Sequence, residues 1–137
     1  MTKMDPNISL EDVQAFFKND HWAYDHLGAR VLEAGPGHAK ATCPVTDGVK
    51  NGFGGVMGGA LFTLADYALA IACNVGEEPT VSVSNTMEFL SATKGQTLFA
   101  EAFADKSGRN LGFYTVDVTD ELGTKVARMS ATCFRRA

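Results

Sequence analysis

Apolar and polar residues alternate through four stretches in the second half of the chain, and turn residues close each one. Thr80 to Ser91 ends at Thr93-Lys94-Gly95, Thr97 to Lys106 at Ser107-Gly108, and Leu111 to Thr119 at Asp120-Glu121-Leu122-Gly123. Thr124 to Arg135 is the last. Alternation of period two with regularly spaced turns predicts strands arranged as an antiparallel meander. His38 to Val45 alternates too, with Ala39, Ala41, Cys43 and Val45 on one side. A first strand is expected within Tyr24 to Glu33, ended by Gly35-Pro36-Gly37. The period changes in two places. Ile8 to Lys18 sets Leu10, Val13, Phe16 and Phe17 on one face of a short helix, with Ser9 as N-cap and Asp12 three residues on. Gly58 to Val75 is apolar all round, which predicts a long enclosed helix, thin where Ala65, Ala68 and Ala72 meet a sheet. One buried helix and about six strands make an α+β domain whose curved antiparallel sheet wraps the helix.

Composition narrows the class. With 137 residues, 45% hydrophobic and 20% charged, the chain is a single globular domain, 1–137, with one sizeable core. A net charge of −4 and no basic run argue against a nucleic-acid partner. Ala60 to Val75 falls short of the roughly 20 apolar residues a membrane span needs, and Met1 to Ser9 lacks the apolar centre of a secretory leader. Cys43, Cys73 and Cys133 are odd in number and sit in apolar segments, so they read as buried thiols in a reducing cytoplasm. No C-x-x-C or H-x-x-x-H spacing offers a metal site, and none is expected.

Between Lys50 and Glu77 the only charged side chain is Asp66, in the middle of the long helix, and an ionised group there is costly to keep dry. Ahead of the helix lies a glycine-rich run from Gly48 to Gly59, whose last amides open the helix and stay accessible to a ligand. Amide donors for a carbonyl oxygen and a carboxylate for the attack point to acyl transfer. Gly58 and Asp66 lie eight residues, or about 12 Å, apart along one helix, whereas reacting atoms must approach to about 3–3.5 Å. If both serve one carbonyl, Asp66 comes from a second copy, giving two composite sites per dimer.

The stretch Asn51-x5-Met57-Gly58-Gly59-x3-Thr63-Leu64-Ala65-Asp66 resembles the signature of hot-dog-fold acyl-CoA thioesterases of the PaaI type, linked to phenylacetate degradation. The similarity continues through Ser82 to Leu90 and spans about Tyr24 to Phe134. The resemblance implies hydrolysis of a small or aromatic acyl-CoA, with no cofactor beyond the coenzyme A of the substrate. It also implies a homodimer that pairs into a dimer of dimers. By it, the Gly58 amide polarises the thioester carbonyl and Asp66 is nucleophile or general base. Asn51 orients water or thioester, and Ser82 helps position the attacking group. The family usually has histidine where this chain has Met57, which cannot donate a hydrogen bond.

Plainer alternatives stand beside these roles. Asp66 is otherwise a buried carboxylate capped by Thr63, Asn74 or a neighbouring backbone group, and Gly58 and Gly59 serve close helix–sheet packing. Asn51 is equally a turn residue. Ser82, expected on the face opposite Val83 and Met87, is nearly as well a sheet serine. Phe53, Met57, Gly59 and Tyr67 are candidates for the substrate pocket, against ordinary packing. Arg109, and more weakly Arg135 and Arg136, are candidates for the coenzyme A phosphates, against solvated surface charge. His21, Trp22, Tyr24 and His26 read as a packing cluster, with lining of the acyl pocket as the alternative. Two other functions compete: a hot-dog module that binds acyl-CoA without cleaving it, and a dehydratase. The latter requires a histidine paired with an acid, which the expected positions lack.

Overall fold

The computed structural model describes residues 3–136. Helix α1 spans Leu10–Phe16, and the Ser9 hydroxyl accepts the Asp12 amide at its start as expected. Val13 and Phe17 of its apolar face are buried, while Leu10 and Phe16 remain exposed. The segment from Tyr24 corrects the sequence reading. Trp22–Leu27 is a π-helical turn that buries Ala23 and Leu27 four residues apart, and the first strand, β1, begins only at Arg30, running Arg30–Gly35. Gly28 stops the turn with φ +79°, a left-handed conformation that side-chain-bearing residues avoid, and its N–H bonds back to the Ala23 carbonyl.

Strands β2 (His38–Pro44), β3 (Thr80–Phe89), β4 (Thr97–Ser107), β5 (Leu111–Asp120) and β6 (Lys125–Arg135) join β1 in one antiparallel sheet of order β1-β2-β4-β5-β6-β3. The expected four-strand meander is therefore only three strands long. Helix α2, Gly58–Asn74, follows β2 and delivers the chain to the opposite edge of the sheet, so β3 pairs with β6 and β4 returns to fill the place beside β2. The inward side chains of β2, β4, β5 and β6, among them Ala41, Ala100, Val116 and Met129, close on Leu64, Ala65, Ala68 and Ala72 of α2. The three alanines are fully buried, as their size predicted.

Two further corrections bear on function. Helix α2 is not enclosed all round: the sheet covers one side, while Gly59, Phe62 and Asp66 are exposed and Thr63, Ala70 and Asn74 half-buried on the other. An expectation drawn from composition alone could not see that a single chain supplies only one cover. Strand β3 carries a bulge between Ser82 and Ser84, where one extra residue shifts the alternation. Ser82 pairs with the inward Cys133 and Met87 with the inward Met129, so Ser82 and Met87 share the helix-facing side rather than opposing one another.

A buried polar network fastens the end of the sheet. Arg135 donates to Glu77 (3.1 Å), to the Gly108 carbonyl (2.8 Å), to Ser107 (2.7 Å) and to the Tyr114 hydroxyl (2.9 Å). Arg135 is thus committed to structure and is withdrawn as a phosphate ligand.

Candidate active site

The glycine-rich run folds into a tight loop around Asn51. Its side-chain oxygen accepts the amides of Phe53 (2.9 Å) and Gly55 (3.2 Å), and its own backbone N–H bonds to the Gly55 carbonyl (2.7 Å). The turn role of Asn51 is therefore present, and it leaves the amide NH2 as a directed donor. The Met57 N–H is anchored on the Val49 carbonyl (2.8 Å), and Met57 enters α2 in extended conformation without a side-chain cap. The Met57 carbonyl takes the Ala60 and Leu61 amides. Among the described residues, the Gly58 and Gly59 amides have no partner, and they sit at the positive end of a 17-residue helix. A methyl group at Gly58 would come within 3.1 Å of the Phe89 ring, so glycine lets that ring cross the helix start.

Three clefts meet α2 here. Asn51, Gly58, Phe89 and Thr93 line one of about 570 Å³. Met57, Gly59 and Thr63 line a second of about 380 Å³, whose opposite wall is Trp22 and His26 from the π-helical turn. Asp66, Phe62 and Tyr67 line a third of about 430 Å³ with Asp20 and His21. Gly58 and Asp66 of one chain therefore open into different clefts, in keeping with their separation along the helix. The sequence-predicted residues divide accordingly. Phe53 is fully exposed at the loop tip and Arg109 is exposed in the β4–β5 turn, and neither lines a cleft named here.

Neither proposed side-chain cap holds Asp66. Thr63 donates to the Gly59 carbonyl (2.8 Å), and Asn74 ties the end of α2 to Thr80 through bonds of 2.9 and 3.2 Å. The Asp66 carboxyl is raised above the ordinary range first by loss of hydration against the helix and then by the charge of Asp20. Tyr67 is pushed up to about 12, chiefly by burial, with Asp20 adding to it.

Trp22 and His26 take the pocket-lining alternative rather than the packing expected of them, and Asn85 went unnoticed in the sequence. Trp22 is 69% exposed and its ring lies 5.3 Å from that of His26, so the pair walls the Met57 cleft rather than packing into the core. Asn85 donates to the Ser82 hydroxyl at 3.4 Å, and its own oxygen is buried without a partner, as is the Thr93 hydroxyl in the Asn51 cleft. The run Ser82-Val-Ser-Asn85 held that signal, but only the bulge brings both side chains to one face. On the outer face of the sheet, Glu33, His38 and Glu101 bring ligand atoms within 4.8 Å of one another, and His38 already pairs with Glu101 at 2.7 Å.

The thioesterase superfamily profile matches residues 53–127, from the glycine-rich loop to the start of β6. The chain belongs to that superfamily. It is a hot-dog thioesterase of the PaaI type, 33% identical to the acyl-coenzyme A thioesterase PaaI of Escherichia coli over 85% of this chain and 84% of that one. The structure of the E. coli PaaI protein from the phenylacetic acid degradation operon superposes with a TM-score of 0.86 at 30% identity, covering 93% of this chain and 92% of the other. A Streptococcus mutans protein solved bound to acetyl CoA superposes at 0.72 with 26% identity, over 77% and 90% of the two chains. No helix among the described residues of this hot-dog thioesterase is long and apolar enough to cross a membrane.

Proposed function

We propose that this protein hydrolyses acyl-CoA thioesters to free acid and coenzyme A at composite sites shared by two copies of the chain. The observation that carries the reading is the pair of unpartnered amides at Gly58 and Gly59, on the same helix as an uncapped, partly desolvated Asp66. Attack on a thioester turns its carbonyl oxygen into an oxyanion, and preorganised N–H donors at a helix start stabilise that charge. In this reading the Gly58 amide of one chain receives the oxygen. Asp66 of the partner subunit is nucleophile or general base, Asn51 orients water or thioester, and Ser82 positions the attacking group. Met57, Gly59 and Tyr67 border the substrate, which is a small or aromatic acyl-CoA; no further cofactor takes part.

Pairing is supported by surface that one chain leaves bare. The side of α2 that the sheet leaves bare carries Gly59, Phe62 and Asp66, and the β3 edge of the sheet leaves Val81, Val83 and Phe89 exposed. Covering both with a second copy removes apolar area from water, and such dimers pair further in our reading. Three free buried cysteines accord with a reducing, cytoplasmic setting. A similar protein solved with acetyl CoA supports the ligand class.

Met57 favours a second reading, an acyl-CoA-binding module without turnover, because a half-exposed thioether in the cleft beside Gly59 donates no hydrogen bond. Thiol release from short, medium, long and aromatic acyl-CoAs, with Asp66→Asn alongside, separates the two. Turnover by the natural chain that is lost in the variant supports hydrolysis and names the acyl class. Stable acyl-CoA binding without thiol release, in a folded dimer, supports the module; undiminished turnover in Asp66→Asn overturns the assignment of Asp66.

A further inference from the structure

Asp20 takes no part in the roles above, yet it faces the same helix surface as Asp66. It follows the 3-10 turn Phe17–Asn19, and backbone bonds on both sides hold its main chain: its N–H donates to the Phe17 carbonyl (3.2 Å), and its carbonyl accepts the Tyr24 amide (2.8 Å). Its side chain borders the Asp66 cleft, and also a neighbouring cleft lined by Ala70 and Asn74. Asp20 therefore lies over the turn of α2 that runs from Asp66 to Ala70.

We propose that Asp20 is a positioning residue that acts through Asp66: the two carboxyls border one cleft on the same face of α2, where the charge of one bears on the charge of the other. The inference rests on the catalytic reading of Asp66. Like charges confined at one site resist joint ionisation, and the acid with the better counter-charge ionises first. Asp20 has that advantage, since His21 lowers it against the effect of burial. His21 is itself held by Asp25 at 2.7 Å. The other titratable groups around the pair are accounted for. Tyr67 comes from α2 and is kept neutral by burial, and Cys133 comes from β6. Arg30 stacks on Tyr24 at 3.8 Å behind Tyr67, and Glu77 is taken up by Arg135. Both carboxyls are raised, chiefly by partial loss of hydration in the cleft, and Asp20 adds to the rise at Asp66. The consequence is an esterase whose acid limb is set by a residue outside the glycine-loop and helix signature.

The test is a carboxyl-carbon NMR titration of Asp66 in the full-length protein, its signal assigned by loss in Asp66→Asn, together with the pH profile of kcat/KM for whichever acyl-CoA is turned over. In Asp20→Asn the Asp66 midpoint and the acid limb both move to lower pH, and in Asp20→Glu, which keeps the charge, both stay near the natural values. An Asp66 midpoint unmoved in folded Asp20→Asn overturns the proposal. Full turnover by Asp66→Asn overturns the catalytic reading instead, while the titration still judges the coupling of the two acids.

Discussion

Replacing Gly58 by proline removes one backbone N–H and leaves the helix it starts in place, which isolates the proposed oxyanion donor. Proline suits the first position of a helix, where the N–H has no partner within the helix. Met57 before it already has φ −64° and ψ 138°, the extended conformation that a residue preceding proline prefers. The cost is local: the new ring carbons meet Phe89, whose Cζ lies 3.1 Å from where a Cβ would be. Phe89 is 59% exposed, so its ring has room to turn aside. Reduced freedom of the unfolded chain offsets part of that crowding, by about 0.4–1 kcal/mol. Stability should therefore change by no more than about 1 kcal/mol, or a few degrees in Tm. Loss of an oxyanion donor costs about 3 kcal/mol, a fall in kcat of roughly a hundredfold. Steady-state thiol release and a thermal melt on the same preparations read both numbers. Gly58→Ala is the control, since it puts the same Cβ against Phe89 and keeps the N–H; it should retain most of the activity. A folded Gly58→Pro enzyme turning over at the natural rate refutes the donor assignment. An Ala variant as impaired as the Pro variant shows that crowding, rather than the missing hydrogen, causes the loss.

Arg135→Met leaves Glu77, Tyr114 and Ser107 without their shared donor. Breaking a buried ion pair costs about 3–5 kcal/mol, and the low end applies because Glu77 is 35% exposed although Arg135 is only 5%. For a chain of 137 residues that lowers Tm by roughly 10 °C, and a melt within about 2 °C of the natural protein counts against the network. Asp120→Asn tests a second anchor. Burial opposes its charge, but the N–H groups of Lys94, Thr124 and Gly95 outweigh it and hold its carboxyl well below the usual range. A depressed carboxyl contributes stability above its unfolded value, and that contribution is lost as pH falls below about 4 toward its folded value. The variant should be less stable at neutral pH and show a shallower loss of Tm on acidification; an unchanged slope removes Asp120 from the acid response.

Helix α2 was legible because seventeen residues without a turn signal leave few alternatives, and its glycine start and single acid announced the chemistry. The extents of the five strands from β2 onward were equally plain from alternation. Strand order was not, since alternation tells which face a residue takes and nothing of its neighbour; only the path of α2 across the sheet explains why β3 ends beside β6. The π-helical turn hid behind Trp22, Tyr24 and His26, residues that suit a strand, and Gly28 was the overlooked stop. In β3 the extra residue was invisible because Val81 and Val83 are alike, as are Ser82 and Ser84. The turn bonds of Asn51 could be read from its place in a glycine-rich loop. The cleft walls from His21 to His26 could be read only as an alternative to packing, and Asp20 not at all, because some forty residues of chain separate them from the helix they face.

Strand β3 has one consequence for the single chain. Its ladder is satisfied on the β6 side only, and over ten residues it carries neither proline nor lysine, two common guards of an open sheet edge. Val81, Val83 and Phe89 on that margin are exposed and well suited to strand pairing. Until the edge is capped, it is a template for indiscriminate β-addition and hence for aggregation. In the proposed dimer the hazard is confined to newly made or highly diluted protein.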